Sequence, residues 1–181
     1  MKKIKKSILA IATVTLLSVA PAVALAQRSD SQLADRVRHE LVMLPYYGVF
    51  DNLAYSINGQ TVTLYGQVVR PTTRSSAESV VKRLPGVQRV VNNIKVLPLS
   101  SFDNRIRAAT YRSIARTSSL YRYLQGGNPS LHIVVDNGHV TLEGVVDGQG
   151  DRTLAYVAAN QVPGVFSVTN NLRVEGAGGL R

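Results

Sequence analysis

A group of arginines in the second half of the chain has the spacing most suggestive of a shared function. Arg105, Arg112 and Arg116 are separated by seven and four residues, so a helix would align them along one face. Additional charges and aromatic rings lie close by in the sequence, at Arg107, Arg122, Tyr121 and Tyr123. Arginines attract anionic headgroups, and tyrosines suit a boundary that is half apolar and half wet. The pattern predicts a surface that binds anionic phospholipid.

The same stripe of arginines has two other interpretations. Charge runs are often solvated helix faces, and the tyrosine rings could simply cover the core of their own domain. The positive charge would also suit an acidic segment of another protein of the cell envelope. The sequence leaves these three interpretations open, and it does not predict an oligomeric state.

Other residue types that could support catalysis or metal binding lack the necessary spacing. The three histidines, His39, His132 and His139, form no pair at metal-ligand spacing on a helix, and the chain has no cysteine. No serine lies in a Gly-x-Ser-x-Gly motif. We therefore expect a protein that is not an enzyme and that has no cofactor, no metal and no small-molecule substrate.

The first 26 residues have the layout of a secretory signal peptide. Four lysines within the first six residues precede an apolar run from Ile8 to Ala20, and Ala24, Leu25 and Ala26 form an Ala-x-Ala cleavage site. The run is short of the roughly 20 residues that span a bilayer, which disfavours an uncleaved anchor. Cleavage after Ala26 would reduce the net charge from +10 to +6. We expect an exported, periplasmic protein, for which nucleic acid is an unsuitable partner.

An internal repeat determines how the rest of the chain is organised. The segment from Val62 to Val96 aligns without gaps with the segment from Val140 to Val174, at a constant offset of 78 residues and with 14 identities in 35 positions. Both segments contain apolar residues at spacing two, followed by apolar residues at helical spacing. The chain therefore contains two copies of one module.

Each copy predicts the same succession of elements. Strands at Ala54–Ile57 and Leu131–Val135 precede Asn-Gly turns and the alternating strands that begin at Val62 and Val140. Amphipathic helices then end at Leu84 and Val162, and third strands run over Val90–Val96 and Val168–Val174. Another helix precedes each hairpin, the first with Ser31 as a possible N-cap and the second starting near Ser101 or Asp103.

This succession predicts two tandem, small two-layer α+β modules. Each runs helix, strand, strand, helix, strand, with both helices on one face of a three-stranded sheet. The predicted boundaries are 1–26 for the signal peptide, 27–98 and 99–175 for the modules, and 176–181 for a flexible, glycine-rich tail. A longer loop between residues 116 and 130 distinguishes the second copy.

At this point the chain resembles the BON domain family. The resemblance rests on structural positions shared by both copies: Gly66, Gly86, Val87 and Asn92 in the first, and Gly144, Gly164, Val165 and Asn170 in the second. The glycines in the strands are expected to mark a bulge or close packing, and the asparagines to satisfy nearby backbone groups. The resemblance implies osmotic-stress envelope proteins without catalytic residues. Attachment to phospholipid surfaces is the first function that it implies, and a chaperone or assembly adaptor for other envelope proteins is the alternative.

Overall fold

The computed structural model describes the backbone of residues 20–175 and the side chains of residues 31–175. Residues 1–19 of the expected signal peptide and the expected tail at 176–181 lie outside this range. Among the helices within it, none is long and apolar enough to cross a membrane.

The described chain forms two modules with the same order of elements. Module one comprises α1 (Ala20–Val42), β1 (Asn52–Asn58), β2 (Thr61–Val68), α2 (Pro71–Lys82), β3 (Arg89–Asn92) and β4 (Lys95–Val96). Module two comprises α3 (Ser101–Arg116), a short 3₁₀ helix (Tyr121–Leu124), β5 (Leu131–Asp136), β6 (His139–Val146), α4 (Gln149–Asn160), β7 (Ser167–Asn170) and β8 (Arg173–Val174). The predicted α+β class, with two tandem modules, is confirmed.

Both sheets are mixed. β1 is antiparallel to β2, which pairs in parallel with β3 and β4 on its other side. β5, β6, β7 and β8 repeat this arrangement in module two. Apolar side chains of both helices and of the central strand share one buried cluster in each module, so both helices lie on the same face of the sheet.

An asparagine interrupts each predicted third strand and divides it into two short strands. The Asn170 side chain accepts from the Leu172 N–H at 3.2 Å and donates to the Arg152 carbonyl oxygen of α4 at 2.9 Å. Asn92 makes the corresponding bonds in module one, to Ile94 and to Arg74 of α2. Each asparagine therefore joins the sheet to the helix above it.

The helix limits differ from the sequence-based expectation in three places. α2 ends at Lys82 and α4 at Asn160, two residues before the predicted ends. The chain then tightens into a turn, in which the N–H groups of Leu84 and Val162 bond carbonyl oxygens three residues earlier rather than four. Ser31 is not an N-cap, since α1 begins at Ala20 and passes through it. The alanine-rich sequence upstream of Ser31 has a high helix propensity, which favours this extension.

Two glycines permit a close approach between neighbouring strands. Gly66 and Gly144 adopt φ values of 113° and 119°, which residues with a side chain rarely adopt. A β-carbon would lie 2.0 Å from the carbonyl oxygen of Asn52 or Ser130, respectively. These family-pattern glycines are therefore required by the backbone of the hairpin itself.

The two modules are docked through the outer edge of β5. The Ile133 N–H donates to the Val49 carbonyl oxygen at 2.7 Å. Val49 and Phe50, in the connection between α1 and β1, pack against the core of module two. At the other end of β5, Asp136 forms an ion pair with Lys95 of β4. Module one therefore contributes a backbone hydrogen bond and apolar side chains to the β5 edge of module two.

His132 is buried in this contact between the modules. Its Nδ1 lies 3.3 Å from the Gly48 carbonyl oxygen, and its Nε2 lies 3.5 Å from the Tyr47 hydroxyl. A neutral imidazole satisfies both contacts, with an N–H facing the carbonyl and a lone pair facing the hydroxyl. Burial lowers the pKa of His132, and it raises the pKa of Tyr47 to about 12.

We expect Gly144→Ala to reduce the free energy of unfolding by about 2 kcal/mol or more, because the new β-carbon forces backbone strain between β5 and β6. Gly150→Ala is the matched control, since a β-carbon at that position would meet nothing within 4 Å and its φ is not positive. Urea unfolding measures both. Equal stability of the two variants would contradict the close approach.

We expect stability to decrease as the pH falls through 6.5, the ordinary pKa of histidine. Because burial lowers the pKa of His132 in the folded state, the unfolded chain takes up the proton first and becomes favoured. Urea unfolding between about pH 7.5 and pH 5.5 measures this decrease. His132→Gln should flatten it. An unchanged pH dependence in His132→Gln would contradict the buried, neutral state.

Candidate functional site

A groove lies between α3 and α4 on the helical face of module two. It has a volume of about 590 Å³, and a second depression of about 540 Å³ continues along α3 beside Pro163. The Ser113 hydroxyl donates to the Ala158 carbonyl oxygen at 2.7 Å, which fixes the spacing of the two helices. The groove is therefore built on two helices that both pack on the sheet.

The α3 wall of the groove is cationic. Arg105, Arg112 and Arg116 are exposed, because Ile106 and Ile114 bury the opposite face of α3 in the core. No acidic residue lines either depression. Within the described residues, none of the three arginines forms an ion pair. Their charges are free to attract an anion.

The α4 wall is apolar, and the sequence analysis did not identify it. Leu154 and Val157 line the groove and leave 45% and 42% of their surfaces exposed. The equivalent residues of module one, at the repeat offset, are Ser76 and Ser79. Comparison of the two copies could have revealed this wall, since both changes place an apolar side chain on an exposed helix face.

Arg107 does not belong to the surface that the sequence predicted. It is only 3% exposed, and its guanidinium donates to the Val135 carbonyl oxygen and to the Asn104 side chain, both at 2.6 Å. Burial lowers the pKa of Arg107, an effect opposed by the nearby carboxylates of Asp103, Asp51 and Asp136. Arg107 lies two residues after Arg105, which turns it to the buried side of the helix.

Arg122 and Tyr123 also differ from the prediction. Tyr123 is buried in the core of module two, and its hydroxyl donates to Asp151 Oδ2 at 2.6 Å. The Arg122 guanidinium lies 2.9 Å from the carboxylates of both Asp147 and Asp151. The hydrogen bond from Tyr123 holds the pKa of Asp151 below its usual value. Tyr121, which is 47% exposed, and Arg122 remain surface residues in this segment, but Arg122 is engaged in ion pairs.

The remaining family-pattern positions form the turns after α2 and α4. Gly86 and Gly164 adopt φ values of 96° and 89°, the left-handed exit that a helix end favours. Val87 and Val165, both half-buried, then direct the chain towards the third strand. Within the described residues, no group of three or more histidines, aspartates and glutamates could hold a metal ion. The chemistry that the groove supports is anion binding beside an apolar surface.

We expect Tyr123→Phe to reduce the free energy of unfolding by about 1 to 2 kcal/mol, because Asp151 and the Asp147 N–H lose a buried partner. Tyr121→Phe, at an exposed tyrosine two residues away, should change it by less than about 0.5 kcal/mol. Urea unfolding compares the two. A Tyr123→Phe variant as stable as Tyr121→Phe would contradict a structural role for this hydroxyl.

Comparisons with known proteins give a family match and weak structural similarities. No curated protein matches the chain. Two solved structures of CdsD, a structural protein of the Type III secretion system of Chlamydia trachomatis, align with 13% identity and a TM-score of 0.29. These alignments cover 78% of this chain and 96% or 91% of the other. The BON domain model matches twice, over residues 29–98 and 102–176. The chain therefore belongs to the BON domain family and carries two tandem copies of the domain.

Proposed function

We propose that this protein is a non-enzymatic envelope protein that attaches to anionic phospholipid surfaces through module two. The observation that carries the proposal is the α3–α4 groove, in which Arg112 and Arg116 face two exposed apolar side chains. Arg105 lines the depression that continues the groove along α3. Membership of a family associated with phospholipid binding supports a role of this kind in the envelope.

The two walls of the groove would act on different parts of a lipid. Arg105, Arg112 and Arg116 would attract headgroup phosphates, each contributing about 1 kcal/mol near an anionic surface. Leu154 and Val157 would contact the boundary between headgroups and acyl chains, where partly exposed apolar side chains are stabilised. Because Arg122 is paired with Asp147 and Asp151, we do not include it in this surface.

Export would place the groove in the periplasm, where it could contact phospholipid. The basic start, apolar run and Ala-x-Ala site would direct the chain to the periplasm, with cleavage after Ala26. The exported protein would then consist of the two domains, proposed at 27–98 and 99–175, and the short tail at 176–181. In that compartment the groove would meet the phospholipid of the envelope.

Co-sedimentation with liposomes tests this function. We expect the exported protein to pellet with anionic but not with neutral liposomes, and to be released by added salt. Combined replacement of Arg105, Arg112 and Arg116 by serine should weaken binding about 100-fold, the effect of losing about 3 kcal/mol. Replacement of Leu154 and Val157 by serine, the residues of module one, should also weaken binding.

The matched control removes three charges from the second helix of module one and the residue after it, at the exposed residues Arg74, Lys82 and Arg83. This variant has the same net charge as the groove variant and should keep most of the binding. If both variants lose binding equally, the groove is not the site. If the folded wild-type protein stays in the supernatant throughout, the lipid function is wrong and capture of other envelope proteins becomes the better candidate.

A further inference from the structure

The outer edge of β1 exposes backbone groups that no other strand pairs with in the described chain. In β2, the carbonyl groups of Leu64 and Val68 accept bonds from the β3 and β4 side. The odd-numbered residues of β2 therefore bond β1, and their partners in the register are the even-numbered residues of β1. The N–H and C=O groups of Leu53, Tyr55 and Ile57 consequently point outwards.

The same edge is covered in module two. At the repeat offset, Tyr55 corresponds to Ile133 and Ile57 to Val135. The Ile133 N–H bonds the Val49 carbonyl oxygen, and the Val135 carbonyl oxygen accepts from the buried Arg107. The β5 edge is thus occupied by the turn of module one that contains Val49 and by an arginine side chain.

No such cover is present on β1 beyond its first residues. The Leu53 N–H lies near the Tyr47 hydroxyl, but nothing in the described part of the chain bonds the outward backbone groups of Tyr55 and Ile57. Proteins usually protect such edges with charged residues, proline, bulges or very short strands. β1 has seven residues in continuous register and contains no charge and no proline.

The other exposed edges are protected by these devices. β3 and β7 have four residues each, β4 and β8 have two, and a kink separates the members of each pair. Positive side chains lie in three of these four strands, at Arg89, Lys95 and Arg173. β1 is therefore the one long and uncharged free edge within the described residues.

We propose that the outer edge of β1 binds an extended segment of another polypeptide by strand addition. The added strand would pair with Tyr55 and Ile57 and enter the cleft of about 920 Å³ between α1, β1 and the exposed face of the second sheet. Arg38 and Arg173 line this cleft together with Glu143 and Glu175, so net charge would not select the segment.

The side chains of β1 indicate the chemistry of that segment. Leu53, Tyr55 and Ile57 are half-buried on the helix side of the sheet and pack against the core of module one. Neighbouring positions of an added strand would lie beside them, where apolar side chains are favoured. The fitting partner is an extended segment in which apolar residues alternate with polar ones, as in an unfolded strand. This site is separate from the lipid groove and does not depend on it.

Amide hydrogen exchange of the exported protein, with and without a blocked hexapeptide of alternating threonine and valine, tests the proposal. In the free protein, we expect rapid exchange at Tyr55 and Ile57 but protection at Ala54 and Ser56, which bond β2, and at Ile133, which bonds Val49. The peptide should slow exchange at Tyr55 and Ile57 by at least about tenfold and leave Ile133 unchanged.

Two N-methylated peptides provide the matched probe, one methylated at the valines and the other at the threonines. Only alternate residues of an added strand direct their N–H groups to β1, so one peptide should lose binding and the other should keep it. Equal binding of both, or unchanged exchange at Tyr55 and Ile57 with the parent peptide, would overturn the proposal. Protection of these amides that rises with protein concentration and needs no peptide would also overturn it, because a second copy would then occupy the edge.

Discussion

The hydrogen bond from the Ile133 N–H to the Val49 carbonyl oxygen lies at the centre of the contact between the two modules. A sheet edge that carries free N–H and C=O groups must be solvated, covered or paired, and β5 is covered from within the chain. Val49 and Phe50 accompany that bond into the core of module two, and Arg107 caps the next outward carbonyl. This one constraint accounts for the docking of the modules, the burial of His132 and the removal of Arg107 from the surface.

Divergence between two copies of one module explains why their surfaces differ. The hairpin glycines and the interrupting asparagines are identical in both, since each is needed to close the same mixed sheet. The outer face of the second helix in each module is not constrained in this way, and there Ser76 and Ser79 are replaced by Leu154 and Val157. The first strands of the two sheets also differ, because module one covers the outer edge of β5 whereas no described strand pairs with the outer edge of β1. The duplication therefore combines a cationic, apolar groove in one copy with a free strand edge in the other.

Much of the fold could be predicted from the sequence, because periodicity and the repeat report directly on local structure. The spacing of Arg105, Arg112 and Arg116 correctly indicated one exposed helix face. The surface positions expected for Arg107 and Tyr123 were wrong because their partners, Val135 and Asp151, come from later segments of the chain. The exposed apolar wall at Leu154 was missed because helical spacing alone does not separate a buried face from an exposed one. The contact at Val49 had no local signal, since it depends on how the two copies dock.

The two modules form one body through the covered edge of β5, and the differences between their surfaces depend on this docking. Residual dipolar couplings of backbone amides in the exported protein, measured separately for β1 to α2 and for β5 to α4, test it most directly. We predict that both sets fit a single alignment tensor, with the relative orientation described above. Two tensors of different magnitude would mean that the modules reorient independently, and would contradict the docking through β5.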